Sequence, residues 1–209
     1  MTSRHATSPA GFDGGRSPDL LPADPAAPGT GPGVAAMLEA RSVALVGASP
    51  RPDSLAYRAL VELERSTRVP AVHLVNPRRA GESVRGRRVL GSLEEIDGPV
   101  DLVLLAVADG RLEAALASAA RRGDRSAVIF GSATDTVPTA ATPAGASGGE
   151  VESLRVRLAR IARGADMAIC GGGCMGFVSK TLRAIGYLEP APLPPGPIAL
   201  VTHSGSAFS

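Results

Sequence analysis

Two short stretches of this chain carry residues able to do chemistry together. Ser42-Val-Ala-Leu-Val-Gly-Ala-Ser49 is an apolar run that closes on Gly47, Ala48 and Ser49, and Ala71-Val-His-Leu-Val75 is a second run that closes on Asn76-Pro77-Arg78-Arg79. A buried strand ending in a small-residue turn that opens toward a helix offers backbone N–H donors to a phosphate. Arg78 and Arg79 place guanidinium groups beside that turn, and a guanidinium whose stem is held pairs well with phosphate. The pattern describes a site for an adenine nucleotide carrying an extra phosphate.

Other reactive side chains lead to less. Cys170 and Cys174 stand in Cys-Gly-Gly-Gly-Cys with no second thiol pair or nearby histidine, so no metal site is expected, and Cys174 reads as a small buried residue rather than a reactive one. A reducing compartment argues against a structural disulfide. His73 lies inside an alternating strand and reads as structural. His203 and Ser204 have no Gly-x-Ser-x-Gly setting and no acid partner, so no catalytic residue is assigned in the chain. A net charge of +2 is too small to argue for a nucleic-acid partner, and an aromatic content of 3% leaves little to stack bases on, so none is expected. No stretch reads as a secretory signal or a bilayer span. The expectation is a cytoplasmic protein without a membrane partner.

These residues must be positioned by the elements around them. Residues 1–36 are rich in Pro, Gly, Ala and Ser without apolar period, and are expected to form a disordered tail. Strands are expected at 43–46, a continuous apolar run suited to burial on both faces, and at 72–75, 101–107, 126–130 and 167–170. Helices are expected at 53–65, where Leu55, Ala59, Leu60 and Leu63 share a face, at 111–122, closed by Gly123, and at 150–163, where Val151, Leu154, Leu158 and Ile161 share one. A basic connector, 78–88, leads to a short Val89-Leu90 stretch and a capped turn at Ser92-Leu-Glu-Glu95. Residues 134–149 interrupt the rhythm with Thr, Pro, Ala, Gly and Ser, and read as a flexible insertion. The alternation predicts an α/β fold, a Rossmann-like doubly wound parallel sheet, over residues 37–190.

Pro197-Ile-Ala-Leu-Val-Thr-His-Ser-Gly-Ser206 repeats the grammar of the first strand and turn. Residues 191–209 are therefore expected to be the start of a truncated second α/β domain, and the chain a fragment.

Taken in order, Val-Gly-Ala-Ser, Val-Asn-Pro-Arg, Asp-Leu-Val-Leu-Leu-Ala-Val, Gly-Gly-Gly-Cys-Met-Gly and Ile-Ala-Leu-Val-Thr-His-Ser-Gly resemble the CoA-binding half of NDP-forming acyl-CoA synthetases. These include ADP-forming acetate-CoA ligases and the succinyl-CoA synthetase alpha subunit, whose second domain is flavodoxin-like. The resemblance covers about Met37 to Ser209 and rests on five motifs in order rather than on any one of them. It departs at Gly172 and Gly173, where the family has Pro and Asn before its cysteine, at Phe130-Gly-Ser-Ala133, where Ser-Ala-Gly is common, and at Thr202-His-Ser-Gly205, where Ser-Gln-Ser-Gly is common.

The resemblance implies that Gly47, Ala48 and Ser49 lie against CoA phosphates and that Asn76, Pro77 and Arg78 lie beside its adenosine end. It implies further that Val107, Ala108, Gly131, Ser132 and Ala133 line the rest of the cofactor, with Cys174 near the thiol. In such ligases an acid and a nucleoside triphosphate give an acyl phosphate, CoA displaces the phosphate, and a histidine ferries the phosphoryl group. That histidine belongs to the second domain, beyond Ser209, so His203 is not its counterpart. The implied partners are CoA, a small carboxylic acid and an ATP-grasp domain or subunit, with ATP or GTP and Mg bound only in the missing parts. Two other readings stand beside it. A basic pair after the second strand also suits the 2′-phosphate of NADP in an oxidoreductase, although Gly-x-Gly-x-x-Gly is missing. A CoA- or nucleotide-sensing module without catalysis is the third.

Overall fold

The computed structural model describes residues 32–134 and 152–186. The expectations for residues 1–31, for most of the 134–149 insertion and for 191–209 lie outside these. Strand β1 (Ser42–Val46) sits at the centre, because its side chains are apolar on both faces and four of its five residues are buried. It pairs in parallel with β2 (Ala71–Val75) on one side and with β5 (Leu102–Leu105) on the other. With β3 (Ser83–Val84), β4 (Arg87–Leu90), β6 (Ser126–Ile129) and β7 (Ala168–Gly171), the sheet runs β3-β4-β2-β1-β5-β6-β7, parallel except at β3.

Alternation along the strands divides the core into two layers. Val43, Leu45, Leu74, Leu102 and Leu104 face helix α2 (Leu55–Glu64), which buries Ala56, Ala59, Leu60 and Leu63. Ala44, Val46, Val103 and Leu105 face the other way, toward α3 (Asp109–Arg122) and α4 (Leu154–Gly164), which bury Leu112, Leu116, Leu154 and Leu158. Helices on both faces of a parallel sheet are the doubly wound arrangement expected from the sequence. Ser54 caps α2 by accepting from the Tyr57 amide at 3.2 Å, and Gly123 ends α3 with φ 80°, a left-handed C-cap that suits glycine. The turn at Ser92–Glu95 is the anticipated capping box.

The structure corrects several boundaries. Residues 32–36, assigned to the tail on composition, belong to helix α1 (Pro32–Leu38). Proline suits a helix's first turn, and Met37 and the following Ala40 are buried while Gly33 packs against Ala168. The basic connector is structured as well. Pro77–Arg79 forms a turn of 3₁₀ helix, β3 and β4 form an antiparallel hairpin, and Val89-Leu90 is the part of β4 that pairs with β2. Arg85 and Gly86 at the hairpin tip both have positive φ, the geometry of a primed two-residue turn. Arg85 is held there by Glu64, 2.7 Å away, and stacks over Tyr57. The fourth helix starts at Leu154 rather than residue 150.

A second hairpin, β8 (Gly176–Val178) and β9 (Arg183–Ile185), escaped the sequence reading because its strands are too short for a periodic signal. It packs on α2 through Leu182 and Ala184 and through a buried ion pair. Arg183 donates Nε to Glu62 at 2.6 Å, and Arg65 approaches the other Glu62 carboxylate oxygen at 2.6 Å. At the amino-terminal end of the sheet, the Asp101 carboxylate accepts from the amides of Arg41 and Ser42, while Ser42 Oγ accepts from the Asp101 amide. This clasp fixes the stagger of β1 against β5.

Candidate functional site

A cleft of about 520 Å³ opens at the carboxyl ends of β1, β2 and β5, the switch point where the chain leaves β1 toward opposite sides of the sheet. Its walls include Gly47, Ser49, Asn76, Arg78, Val107 and Ala108, six of the residues expected at a nucleotide. Ala48 is buried beneath the loop, and Pro77 does not line the cleft.

Gly47 has φ 96°, and a Cβ there would overlap the Ala106 carbonyl, so only glycine lets the chain turn this close to β5. The expected use of its amide is not what is found. The Gly47 and Ala48 amides both donate to the Val75 carbonyl, at 2.8 and 3.2 Å. The α2 amino terminus is also occupied by its own cap, several residues beyond Ser49. The Gly47 and Ala48 amides are thus taken by the parallel partner strand, and the Tyr57 amide at the start of α2 by Ser54.

Asn76 ties the two loops together. Its Nδ2 donates to the Ala48 carbonyl at 2.8 Å, and its Oδ1 accepts from the Arg78 amide at 3.1 Å, opening the 3₁₀ turn. That turn carries Arg78 and Arg79 to the cleft rim. Arg79 is paired with Glu82 at 3.0 Å. The side chains of Arg78, Arg51 and Arg111 have no hydrogen bond or ion pair with the described residues, and all three line the cleft. Arg51 and Arg111 were missed by the sequence reading, which looked for cations only after the second strand. Arg111 lies in the first turn of α3, just past the end of β5, and the rule that ligands sit at strand carboxyl ends is the signal that finds it. Against these four guanidinium groups the lining presents one carboxylate, Glu82. Such a donor set favours a multiply charged anion.

Gly131, Ser132, Ala133 and Cys174 fall outside the cleft and form a cluster next to it. Gly131 lies against the Val107 carbonyl and the Asp109 carboxylate, leaving no room for a side chain. Asp109 accepts from Ser132 Oγ at 2.6 Å and from the Ala133 and Thr134 amides at 3.2 and 3.1 Å. The Ser132 hydrogen bond, helped by those amides, holds its carboxyl below the usual carboxylate range, so this anchor stays charged at neutral pH. Cys174 lies beyond, with its Sγ 3.9 Å from that of Cys170. His73 is half-buried in β2, where burial and then the charge of Arg122 lower its pKa, in keeping with a structural role. Among the described residues no group of three or more His, Cys, Asp or Glu side chains is placed to hold a metal, and no helix is long and apolar enough to cross a membrane.

Comparison with known proteins follows the same lines. The family model of the CoA binding domain matches residues 41–180. Subunit alpha of the ADP-forming acetate–CoA ligase I of Pyrococcus furiosus is 25% identical over 173 residues, covering 82% of this chain and 35% of that protein. A solved structure from Pyrococcus horikoshii OT3 superposes with a TM-score of 0.58 at 22% identity, over 74% of this chain and 32% of that one. A dinucleotide forming acetyl-coenzyme A synthetase 1 of Ca. Korarchaeum cryptofilum does so with 0.57 at 19% identity, over 73% and 30%. These superpositions establish the Rossmann-like fold. The chain spans about a third of the length of these three relatives.

Proposed function

We propose, for a chain that belongs to the CoA binding domain family, that the arginine-lined cleft holds the phosphate-bearing adenosine end of coenzyme A. The observation that carries the reading is the trio Arg51, Arg78 and Arg111, three guanidinium groups without a partner among the described residues, turned into one cleft at the sheet's switch point. Free cations around a glycine-pinned loop fit an anion with several phosphates. Bound there, CoA supplies a thiol that accepts an acyl group.

The chain's own residues bind and orient. Gly47 allows the close turn, Ser49 lines the loop with a hydroxyl, and Asn76 locks the loops after β1 and β2 into one surface. Arg78 meets the 3′-phosphate of the adenosine, while Arg51 and Arg111 serve the diphosphate. Val107 and Ala108 carry the cofactor past the end of β5, and Gly131, Ser132 and Ala133 continue that rim under the hold of Asp109. Cys174 marks the direction of the thiol end.

The parent reaction in this reading joins a small carboxylic acid to CoA at the expense of ATP or GTP. The phosphoryl-carrying histidine and the ATP-grasp part then lie in portions of the relatives that this chain does not span. The 209-residue chain by itself is accordingly expected to form no acyl-CoA from acid, nucleoside triphosphate and CoA. A coupled assay for released phosphate measures this, and turnover by the purified chain would overturn the assignment of roles.

Titration calorimetry with CoA, dephospho-CoA, NAD and NADP tests the binding itself. CoA is expected to bind tightest, because β2 ends in Asn76 rather than in the acid that holds a ribose diol. Arg78→Ala is expected to cost about 1.5–3 kcal/mol, or about one to two orders of magnitude in CoA affinity, as for a charge-assisted hydrogen bond. Dephospho-CoA, which lacks the 3′-phosphate, is expected to be nearly indifferent to the change. Equal losses for both ligands reject the 3′-phosphate as the partner of Arg78, and tighter binding of NADP than CoA rejects the cofactor.

A further inference from the structure

Cys170 ends the last parallel strand, and Cys174 follows after three glycines. Their sulfurs lie 3.9 Å apart, with the Cys170 thiol donating to Cys174 Sγ. The loop is shaped to bring them there. Gly171 and Gly173 adopt φ of 109° and 76°, conformations that residues with a Cβ avoid. A Cβ on Gly171 would overlap the Ile129 carbonyl and stand 3.1 Å from Cys174 Sγ, so the missing side chain is what admits the second sulfur. Both cysteines are part-exposed and free. No metal competes for them among the described residues, since no third ligand is near. The loop packs on the rim beside the cleft, with the Gly173 amide donating to Gly131 at 2.6 Å and Gly131 set against Val107.

We propose that Cys170 and Cys174 are a redox-active dithiol that reduces low-molecular-mass disulfides by thiol–disulfide exchange, with Cys174 attacking and Cys170 resolving. Cys174 sulfur, its proton given up to water, forms a bond to one sulfur of R–S–S–R, and the other leaves as a thiolate that takes a proton back from water. Cys170 sulfur then bonds to Cys174 sulfur, expels the second R–S⁻, and its proton goes to that leaving thiolate. The pair loses two electrons and becomes a cystine, and the small disulfide gains them as two thiols. Closing the bond needs the sulfurs to approach to about 2.05 Å, a movement that a three-glycine connection accommodates. The roles follow from the hydrogen bond between the thiols. It lowers Cys174 to about 7 and raises Cys170, so the attacking group is a substantial fraction thiolate near neutral pH, while burial of the sulfur opposes this only in part.

Any small disulfide satisfies this chemistry. The disulfide of CoA is the one the neighbouring cleft would concentrate, and that preference alone rests on the proposed function.

The experiment incubates the reduced full chain, under nitrogen, with CoA disulfide and separately with glutathione disulfide, and follows intact mass and released thiol. Two thiols are expected per chain, which becomes lighter by two hydrogens and is restored by reductant. Cys170→Ser is expected to stop as a mixed disulfide on Cys174, and Cys174→Ser to react at least about tenfold more slowly. Alkylation of the unmodified chain with iodoacetamide, which needs no variant, is expected to label Cys174 before Cys170. No reaction with either disulfide, a stable mixed disulfide on the unaltered chain, or Cys174→Ser reacting as fast as the parent overturns the dithiol. Oxidation at equal rates by both disulfides supports the dithiol and counts against CoA in the cleft.

Discussion

Gly47→Ala is expected to loosen the fold and to disable the cleft in one step. The substituted Cβ meets the Ala106 carbonyl, a backbone group at the end of a strand buried on both faces, and φ at this position is 96°. Backbone strain and overpacking each contribute roughly 1–3 kcal/mol, so unfolding free energy falls by about 2–6 kcal/mol. For a chain of this size that lowers Tm by on the order of 10 °C. Whatever relief the loop finds moves Ser49 and Arg51 away from Arg78 and Arg111, and CoA affinity drops by at least about tenfold. Calorimetric scans and CoA titration of the same samples measure both effects. An alanine variant that melts and binds like its parent would show that the close turn at Gly47 is not needed.

Glu62→Ala is expected to be the most destabilising change away from the cleft. Glu62 is fully buried in α2 and holds Arg183, itself only 5% exposed, by accepting from its Nε at 2.6 Å. Removing the carboxylate strands a charge where water cannot reach it, which costs about 3–5 kcal/mol. Glu62→Gln keeps the volume and part of the hydrogen bonding, and is expected to lose less. Replacing both partners, as in Glu62→Leu with Arg183→Met, should recover most of the stability, because the desolvation cost leaves with the charges. Urea denaturation of the parent, the single variants Glu62→Leu and Arg183→Met and the double variant reads the cycle, with Glu62→Ala and Glu62→Gln measured beside them. If Glu62→Ala falls within experimental error of the parent, the pair is not what holds the β8–β9 hairpin to α2.

How much of this was legible in the sequence depended on how each residue earns its place. Val43–Val46 and the runs around Leu104 and Val128 are buried on both faces, so unbroken apolar composition announces them, and Val72–Val75, broken only by half-buried His73, completes the parallel sheet. The β3–β4 hairpin is different. Its residues are mostly arginine, serine and glycine, it is held by backbone pairing and by Arg85 against Glu64, and none of that leaves a periodic trace. Helix α1 begins with Pro32 and Gly33, residues that read as breakers until the packing of Gly33 on Ala168 is seen. At the cleft, residue types pointed to Gly47, Asn76 and Arg78, but hydrogen-bond ownership could not be read from types. The Gly47 and Ala48 amides go to Val75, and the cationic work passes to Arg51 and Arg111, which only the three-dimensional closeness of the β1 and β5 ends assembles.

The central position of β1 also governs the order in which the protein can be made. Ser42 and Asp101, which set the stagger of β1 against β5, are 59 residues apart in the chain. Loop-closure entropy must be overcome before that pairing returns any contact energy, and chains dominated by such distant pairings fold in milliseconds to seconds rather than microseconds. A nascent chain that has joined β1 only to β2 owns Gly47, Asn76 and Arg78 but has no opposite wall, since Val107 and Arg111 arrive with β5. The two walls of the cleft therefore come together only once β5 has paired with β1.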